Sequence, residues 1–81
     1  MADKMGAMRR LGVFATLRGW LLTDNEQRKT FASRADALAA ARQQAHVARW
    51  RGAEAEVVAQ DRVGGALTVV DPAPRRAREN A

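Results

Sequence analysis

Hydrophobic and polar residues follow two different periods along this chain, and the changes of period mark its elements. Between residues 33 and 52, apolar residues recur at intervals of three and four, which is the spacing along one side of an α-helix. Ser33 is typical of a helix N-cap, and Gly52 is typical of the left-handed residue that ends a helix. The pattern predicts one helix over residues 34–51. Its buried positions are Ala37, Leu38, Ala41, Ala45 and Ala48.

Short apolar runs with a period of two predict five strands around this helix. The predicted strands cover residues 11–17, 20–23, 27–32, 55–60 and 67–70. This order predicts an α+β fold of the type βββαββ, in which one helix packs on a mainly antiparallel sheet of four to five strands. A right-handed crossover through the helix would place the fourth strand parallel to the first, giving the spatial order 3-2-1-4-5.

Charge and proline mark the predicted limits of the folded part. Residues 1–10 show no period and are expected to be a disordered N-terminal segment, followed by a single domain over residues 11–71. Residues 72–81 are expected to be a disordered basic tail, because proline cannot donate to a sheet. The chain carries a formal net charge of +5, but residues 11–71 hold eight basic and seven acidic side chains. The surplus positive charge therefore lies in the two ends.

The period of two also indicates hydrophobic residues on both faces of the sheet. The residues that can serve the helix side are Val13, Ala15, Leu17, Trp20, Leu22, Val57, Ala59, Leu67 and Val69. The residues of opposite parity are Phe14, Leu21, Val58 and Val70. One helix covers only one face, so we expect this second set to form a self-association face that meets a second copy of the chain, as a homodimer, or another protein.

Composition excludes several classes of site. The chain has no cysteine and one histidine, so disulfides, thiolate metal sites and clusters of imidazole ligands are excluded. We expect no cofactor and no metal. No apolar run approaches the ~20 residues that span a bilayer, and the N-terminus lacks the apolar core of a signal peptide. We therefore expect a soluble cytoplasmic protein without membrane contact.

Candidate catalytic residues are sparse. His46 together with Asp36 or Glu56 would suggest acid–base chemistry, but no nucleophile stands in a recognisable motif and no paired carboxylates share a predicted pocket. Gly64-Gly65 is too short to cradle a phosphate and precedes a strand, whereas phosphate loops open onto a helix. We expect a protein that is not an enzyme.

A possible nucleic-acid site lies on the outer side of the predicted helix. Its arginines and histidine would contact phosphates, a tryptophan would stack on a base, and the arginines of the tail would add attraction. The candidate residues are Arg42, His46, Arg49, Trp50, Arg75, Arg76 and Arg78. The alternative is a solvated helix side, with Trp50 packed over a strand edge. We expect a self-associating protein-interaction module, and the alternative function is weak, mainly electrostatic nucleic-acid binding.

Structural residues carry a resemblance to a known family. They are Gly19-Trp20 opening the second strand, the serine-initiated helix with its alanines at every fourth position, Val57-Val58, and Gly64-Gly65. In these features residues 13–71 resemble a family of small, uncharacterised bacterial proteins catalogued as domain of unknown function 2188. The chain departs from it by the extra Arg49-Trp50-Arg51 before the fourth strand. The resemblance implies this fold and a bacterial origin, and it supplies no catalytic residue.

Overall fold

The computed structural model describes residues 8–24 and 27–73, and this part of the chain contains five strands and one helix. The strands are β1 (Met8–Thr16), β2 (Gly19–Asp24), β3 (Gln27–Phe31), β4 (Glu54–Ala59) and β5 (Thr68–Asp71), and the helix α1 is Arg34–Trp50. The order βββαββ, with one helix packed on a five-stranded mixed sheet, confirms the predicted α+β fold.

The strands lie in the spatial order β3-β2-β1-β4-β5. β1 is antiparallel to β2 and parallel to β4, and the other neighbouring pairs are antiparallel. Because α1 carries the chain from the outer strand β3 back past β1, β4 returns in the direction of β1. This arrangement confirms the predicted strand order and places β1 at the centre of the sheet.

Both ends of α1 have the local structure that the sequence predicts. The Ser33 hydroxyl accepts a hydrogen bond from the Asp36 N–H at 3.1 Å, which satisfies one of the free donors of the first turn. At the other end Gly52 adopts a φ of 93°, and the Ala53 N–H donates to the Ala48 carbonyl at 2.9 Å. A left-handed glycine therefore ends the helix within one residue of the predicted limit.

The core lies between α1 and the strands. The buried side chains that the helix contributes to it are all small, namely Ala37, Ala41, Ala45 and Ala48, and the half-buried Leu38 packs against them. Most of the volume comes from the strands, where Leu11, Val13, Leu22 and Val57 are at most 2% exposed. A helix side made of methyl groups can lie close to a sheet, so the larger strand side chains fill the space between them. The predicted buried side of α1 is confirmed at its four alanines, including Ala41, whereas Leu38 is only half-buried.

β1 begins three residues earlier than the sequence predicts. Met8 pairs with Glu54 at the start of β4, and the Arg10 Nε donates to Glu56 Oε2 at 2.7 Å. The strand is thus extended by backbone pairing and by an ion pair. Neither interaction can be recognised from the spacing of apolar residues. Residues 1–7 and 74–81 lie outside the described residues, so the disorder expected for these parts of the two end segments stays a prediction.

Three residues expected on the helix side lie elsewhere. β1 ends at Thr16, and Leu17 is in the turn that follows, where it is 93% exposed. Leu67 precedes β5 and is also exposed. Val69 is displaced by a β-bulge, because the register between β4 and β5 shifts from Val58↔Val69 to Val57↔Asp71. The extra residue in the bulge reverses the side that the next side chain occupies.

The same bulge corrects the predicted position of Val70. Val70 packs against the core on the helix side, whereas Val69 is opposite Val58 on the other face and is 51% exposed. Residues directly opposite each other in an antiparallel pair share a face. Val69 therefore takes the place on the second face of the sheet that the sequence assigns to Val70.

Candidate interaction surfaces

The first candidate surface is the face of the sheet opposite α1, which we call the open face. The apolar residues at its centre are Phe14, Leu21, Val58 and Val69, one from each of β1, β2, β4 and β5, and Met8 lies on the same face at the start of β1. Phe14 pairs with Leu21, and Val58 pairs with Val69, so the four form a strip across neighbouring strands. Within residues 8–24 and 27–73, no second layer of helix or strand lies on this strip.

A glycine shapes the centre of the open face. A Cβ built on Gly12 would lie 2.6 Å from Cε1 of Phe14 and 3.2 Å from Oγ1 of Thr23. The Phe14 ring therefore lies over the Gly12 backbone, and Gly12 itself is buried. The sequence analysis missed this role, although a glycine inside a predicted strand is a signal for close approach by another group.

The end of the open face nearest the start of β1 is charged. Arg10 and Glu56 form their 2.7 Å ion pair there, across β1 and β4. Arg28 of β3 lies on the same face, since it pairs with Thr23, and it is exposed without an ion pair among the described residues. The open face thus combines an apolar centre with a charged rim.

The second candidate surface is the outer side of α1. Arg42, His46 and Trp50 are spaced by four residues and are all exposed, so they form a stripe along the helix. Trp50 is 83% exposed, which rules out packing over a strand edge. The structure therefore brings together three of the predicted nucleic-acid residues. The tail residues Arg75, Arg76 and Arg78 lie outside the described part of the chain.

Arg49 does not belong to this stripe. Its Nε and Nη2 donate to the Ala55 carbonyl at 3.1 and 2.7 Å, and its Nη2 also donates to the Pro72 carbonyl at 3.1 Å. Its Nη1 lies 3.4 Å from Oδ2 of Asp71. The guanidinium thus holds the end of α1 against the start of β4 and the end of β5. This use inside the fold corrects the prediction that Arg49 contacts phosphates.

A cleft of about 240 Å³ lies beside the stripe, between the C-terminal half of α1 and the strands. The side chains that matter for its chemistry are Arg9, Asp24, Gln43, Gln44, Val47 and Arg51. Arg9 Nη2 lies 3.4 Å from Asp24 Oδ2, which is long for a charge-assisted hydrogen bond. Arg9 Nε and Asp24 Oδ1 are buried without hydrogen-bond partners among the described residues.

The sequence analysis missed this cleft because it assigned Arg9 to the N-terminal segment and Asp24 to a turn. The signal that it could have used is the pair of adjacent glutamines, Gln43 and Gln44, in an otherwise alanine-rich helix. Two neighbouring amides add donors and acceptors without adding charge. Their position opposite Arg9 and Asp24 depends on the long-range pairing of the strands.

The candidate acid–base residues are not brought together. His46 lies on the outer side of α1, Glu56 lies on the far face of the sheet, and Asp36 is ten residues from His46, or about 15 Å along the helix. In the described ranges, no group of three or more histidine or acidic side chains is placed to hold a metal ion. In the same ranges, α1 does not have the length and apolar composition needed to cross a membrane.

Comparison of the chain with family models, with curated proteins and with solved structures finds no match. The resemblance to domain of unknown function 2188 stays a prediction.

Proposed function

We propose that this protein is a non-enzymatic interaction module that associates with a second copy of itself through the open face. The observation that carries this proposal is the apolar strip of Phe14, Leu21, Val58 and Val69 on the side of the sheet that α1 does not cover. Val69 is 51% exposed, Phe14 and Leu21 are half-buried, and Val58 lies buried among them. Partly exposed apolar strips of this kind mark surfaces that are covered by a partner. A second copy presents the same strip, which makes a symmetric contact self-complementary.

The geometry of the open face suits a symmetric contact. Phe14 lies on the central strand β1, flanked by Leu21 on one side and by Val58 and Val69 on the other. A two-fold axis near Phe14 would stack the two rings and place each strip on its copy. Because the Phe14 ring lies over Gly12, it does not stand upright from the sheet, and two such faces can approach closely.

The small size of the open face favours a weak association. At about 4.8 Å between strands and about 3.3 Å per residue, a five-stranded face about six residues long measures about 24 Å by about 20 Å. Two such faces bury about 960 Å², which is below the ~1,200 Å² of stable specific interfaces and in the range of weak, transient contacts. We therefore expect a dimer that dissociates in the micromolar range.

The experiment is sedimentation equilibrium across a concentration series from low to high micromolar, with two matched variants. Leu21→Lys places a charge in the open face and should leave the protein monomeric at every concentration, because a buried unpaired ammonium opposes the contact. Leu17→Lys makes the same change at the 93% exposed turn position and should leave association intact. High salt should not dissociate the wild-type dimer, since the contact is apolar.

Two results would contradict the proposal. The first is a wild-type protein that stays monomeric at high micromolar concentration, which would leave the open face to a different protein. The second is equal dissociation by Leu21→Lys and Leu17→Lys, which would place the contact away from the open face. Circular dichroism of both variants checks that each retains the native helix.

A further inference from the structure

We propose that the outer side of the C-terminal half of α1, together with the adjacent cleft, binds single-stranded nucleic acid. In this site Trp50 stacks on one base, Arg42 and Arg51 contact phosphates, and the cleft receives a neighbouring base. The site and the open face are on opposite sides of the sheet, so this activity is separate from self-association.

Along most of α1 the charged side chains are basic. Residues 37–53 contain four basic or histidine side chains and no acidic one. The charge of Arg49 is offset by Asp71. Neither Arg42 nor Arg51 makes an ion pair or a side-chain hydrogen bond within the described ranges, and both are exposed. Arginines without internal partners are available to bind phosphate oxygens.

The position of Trp50 allows its indole to stack on a base. It is 83% exposed and follows Arg42 and His46 on one stripe that spans about 12 Å of helix. An exposed indole offers its face to any base, and stacking on aromatic side chains together with a basic track is the general mode of single-strand binding. In a duplex the bases are stacked on each other, so they cannot reach Trp50.

The cleft offers both hydrogen-bond donors and hydrogen-bond acceptors. Its 240 Å³ equals the volume of about eight waters at ~30 Å³ each, which is enough for one planar base. Gln43 and Gln44 each offer a donor and an acceptor, while Arg9 Nε and Asp24 Oδ1 have no hydrogen-bond partner in the part of the chain that the structure describes. The edges of bases carry donors beside acceptors, which matches this lining. A base is uncharged, so its edge can enter the cleft beside Asp24 without the repulsion that a carboxylate side chain would meet there.

The test uses fluorescence anisotropy of labelled single-stranded DNA of about 12 nucleotides, as separate oligo-dA, oligo-dC and oligo-dT. Trp50→Ala should weaken binding about tenfold, and Trp50→Phe should retain most of the affinity because a smaller ring still stacks. Arg51→Gln should weaken binding and lower the slope of log affinity against log salt by about 1. The matched control Arg18→Gln removes the same charge from the β1–β2 turn and should change affinity less than about twofold.

A further arm tests the cleft and the class of ligand. Gln43→Ala should remove a preference among the three oligonucleotides, and a duplex of the same length should bind more weakly than the single strands. The proposal is overturned if wild type binds none of them, if Trp50→Ala binds as wild type does, or if Arg51→Gln and Arg18→Gln lose the same affinity. It is also overturned if oligoglutamate competes as well as DNA does. The same holds if the wild-type protein binds the three oligonucleotides with equal affinity. Leu21→Lys should bind normally, which separates this result from self-association.

Discussion

Val13 and Phe14 are neighbours on β1, yet they lie on opposite faces of the sheet. One face is covered by α1, and the other is the open face. Val13 is fully buried beneath α1, in a layer where alanine methyl groups meet strand side chains. Phe14 is only half-buried, and its ring is accommodated by the missing side chain of Gly12. Two adjacent hydrophobic residues therefore have different roles, because one supports the fold and the other remains available to a partner.

This difference shows how so short a chain can fold and still present an apolar surface. A narrow helix side buries little area itself, but it seals the larger side chains of three or four strands against water. On the open face the Phe14 ring partly covers the backbone of Gly12, and no second helix is needed there. We expect the helix side to hold most of the stability and the open face to hold most of the capacity for association.

The largest expected effect separates the two faces directly. Leu22→Ala removes a fully buried side chain from the helix side and should cost about 2–5 kcal/mol, which is a large part of the stability of a small domain. Leu21→Ala, one residue earlier on the open face, should cost about 1 kcal/mol or less and should weaken association instead. Urea unfolding and sedimentation of both variants measure the two effects. Equal losses of stability would abolish the distinction between the faces.

The next effect tests how closely α1 lies on the sheet. Ala41 is fully buried, so Ala41→Leu should overpack the layer and destabilise the fold by about 1–3 kcal/mol. Ala39→Leu makes the same change on the exposed side of α1 and should be nearly neutral. Thermal unfolding of the two variants gives the comparison. A neutral Ala41→Leu would mean that the layer has room for a larger side chain.

The smallest expected effect concerns the contact between Gly12 and the Phe14 ring on the open face. Gly12→Ala would place its methyl group 2.6 Å from the Phe14 ring, so the ring must move, at a cost of about 1 kcal/mol. The same change in a Phe14→Leu background should cost less, because the ring is gone. A double-mutant cycle followed by urea unfolding measures this coupling. Coupling close to zero would show that Gly12 does not support Phe14.

Local pattern was enough to predict the architecture, but it was not enough to predict how the surfaces are composed. Periodicity and capping residues gave the helix limits and the buried Ala41, because these features depend on residues close together in the chain. The strand order followed from the right-handed crossover rule applied to the order of the elements. The exchange of Val69 for Val70 could not be predicted, since a bulge adds one residue without changing the apolar run.

The same limit applies to arginine. Arg42 and Arg49 are seven residues apart and lie on nearly the same side of an ideal helix. They differ because carbonyls of Ala55 and Pro72 lie within reach of one and not of the other. These carbonyls are placed by the pairing of β4 with β5, which the helical pattern does not contain. The cleft was missed for the same reason, since β1 supplies Arg9 only once it has paired with β4.

The parallel pairing of β1 with β4 also has a consequence for the order of folding. β1, β2 and β3 can pair through short connections, but the central strand must wait for β4, whose partners are separated from it by about 46 residues, as in Met8 and Glu54. Until then Leu11 and Val13 lack their neighbours on β4, which are Val57 and Ala59. On a ribosome, therefore, the core cannot close before β4 has emerged, and we expect the docking of α1 and β4 on the three-stranded meander to be the rate-limiting step.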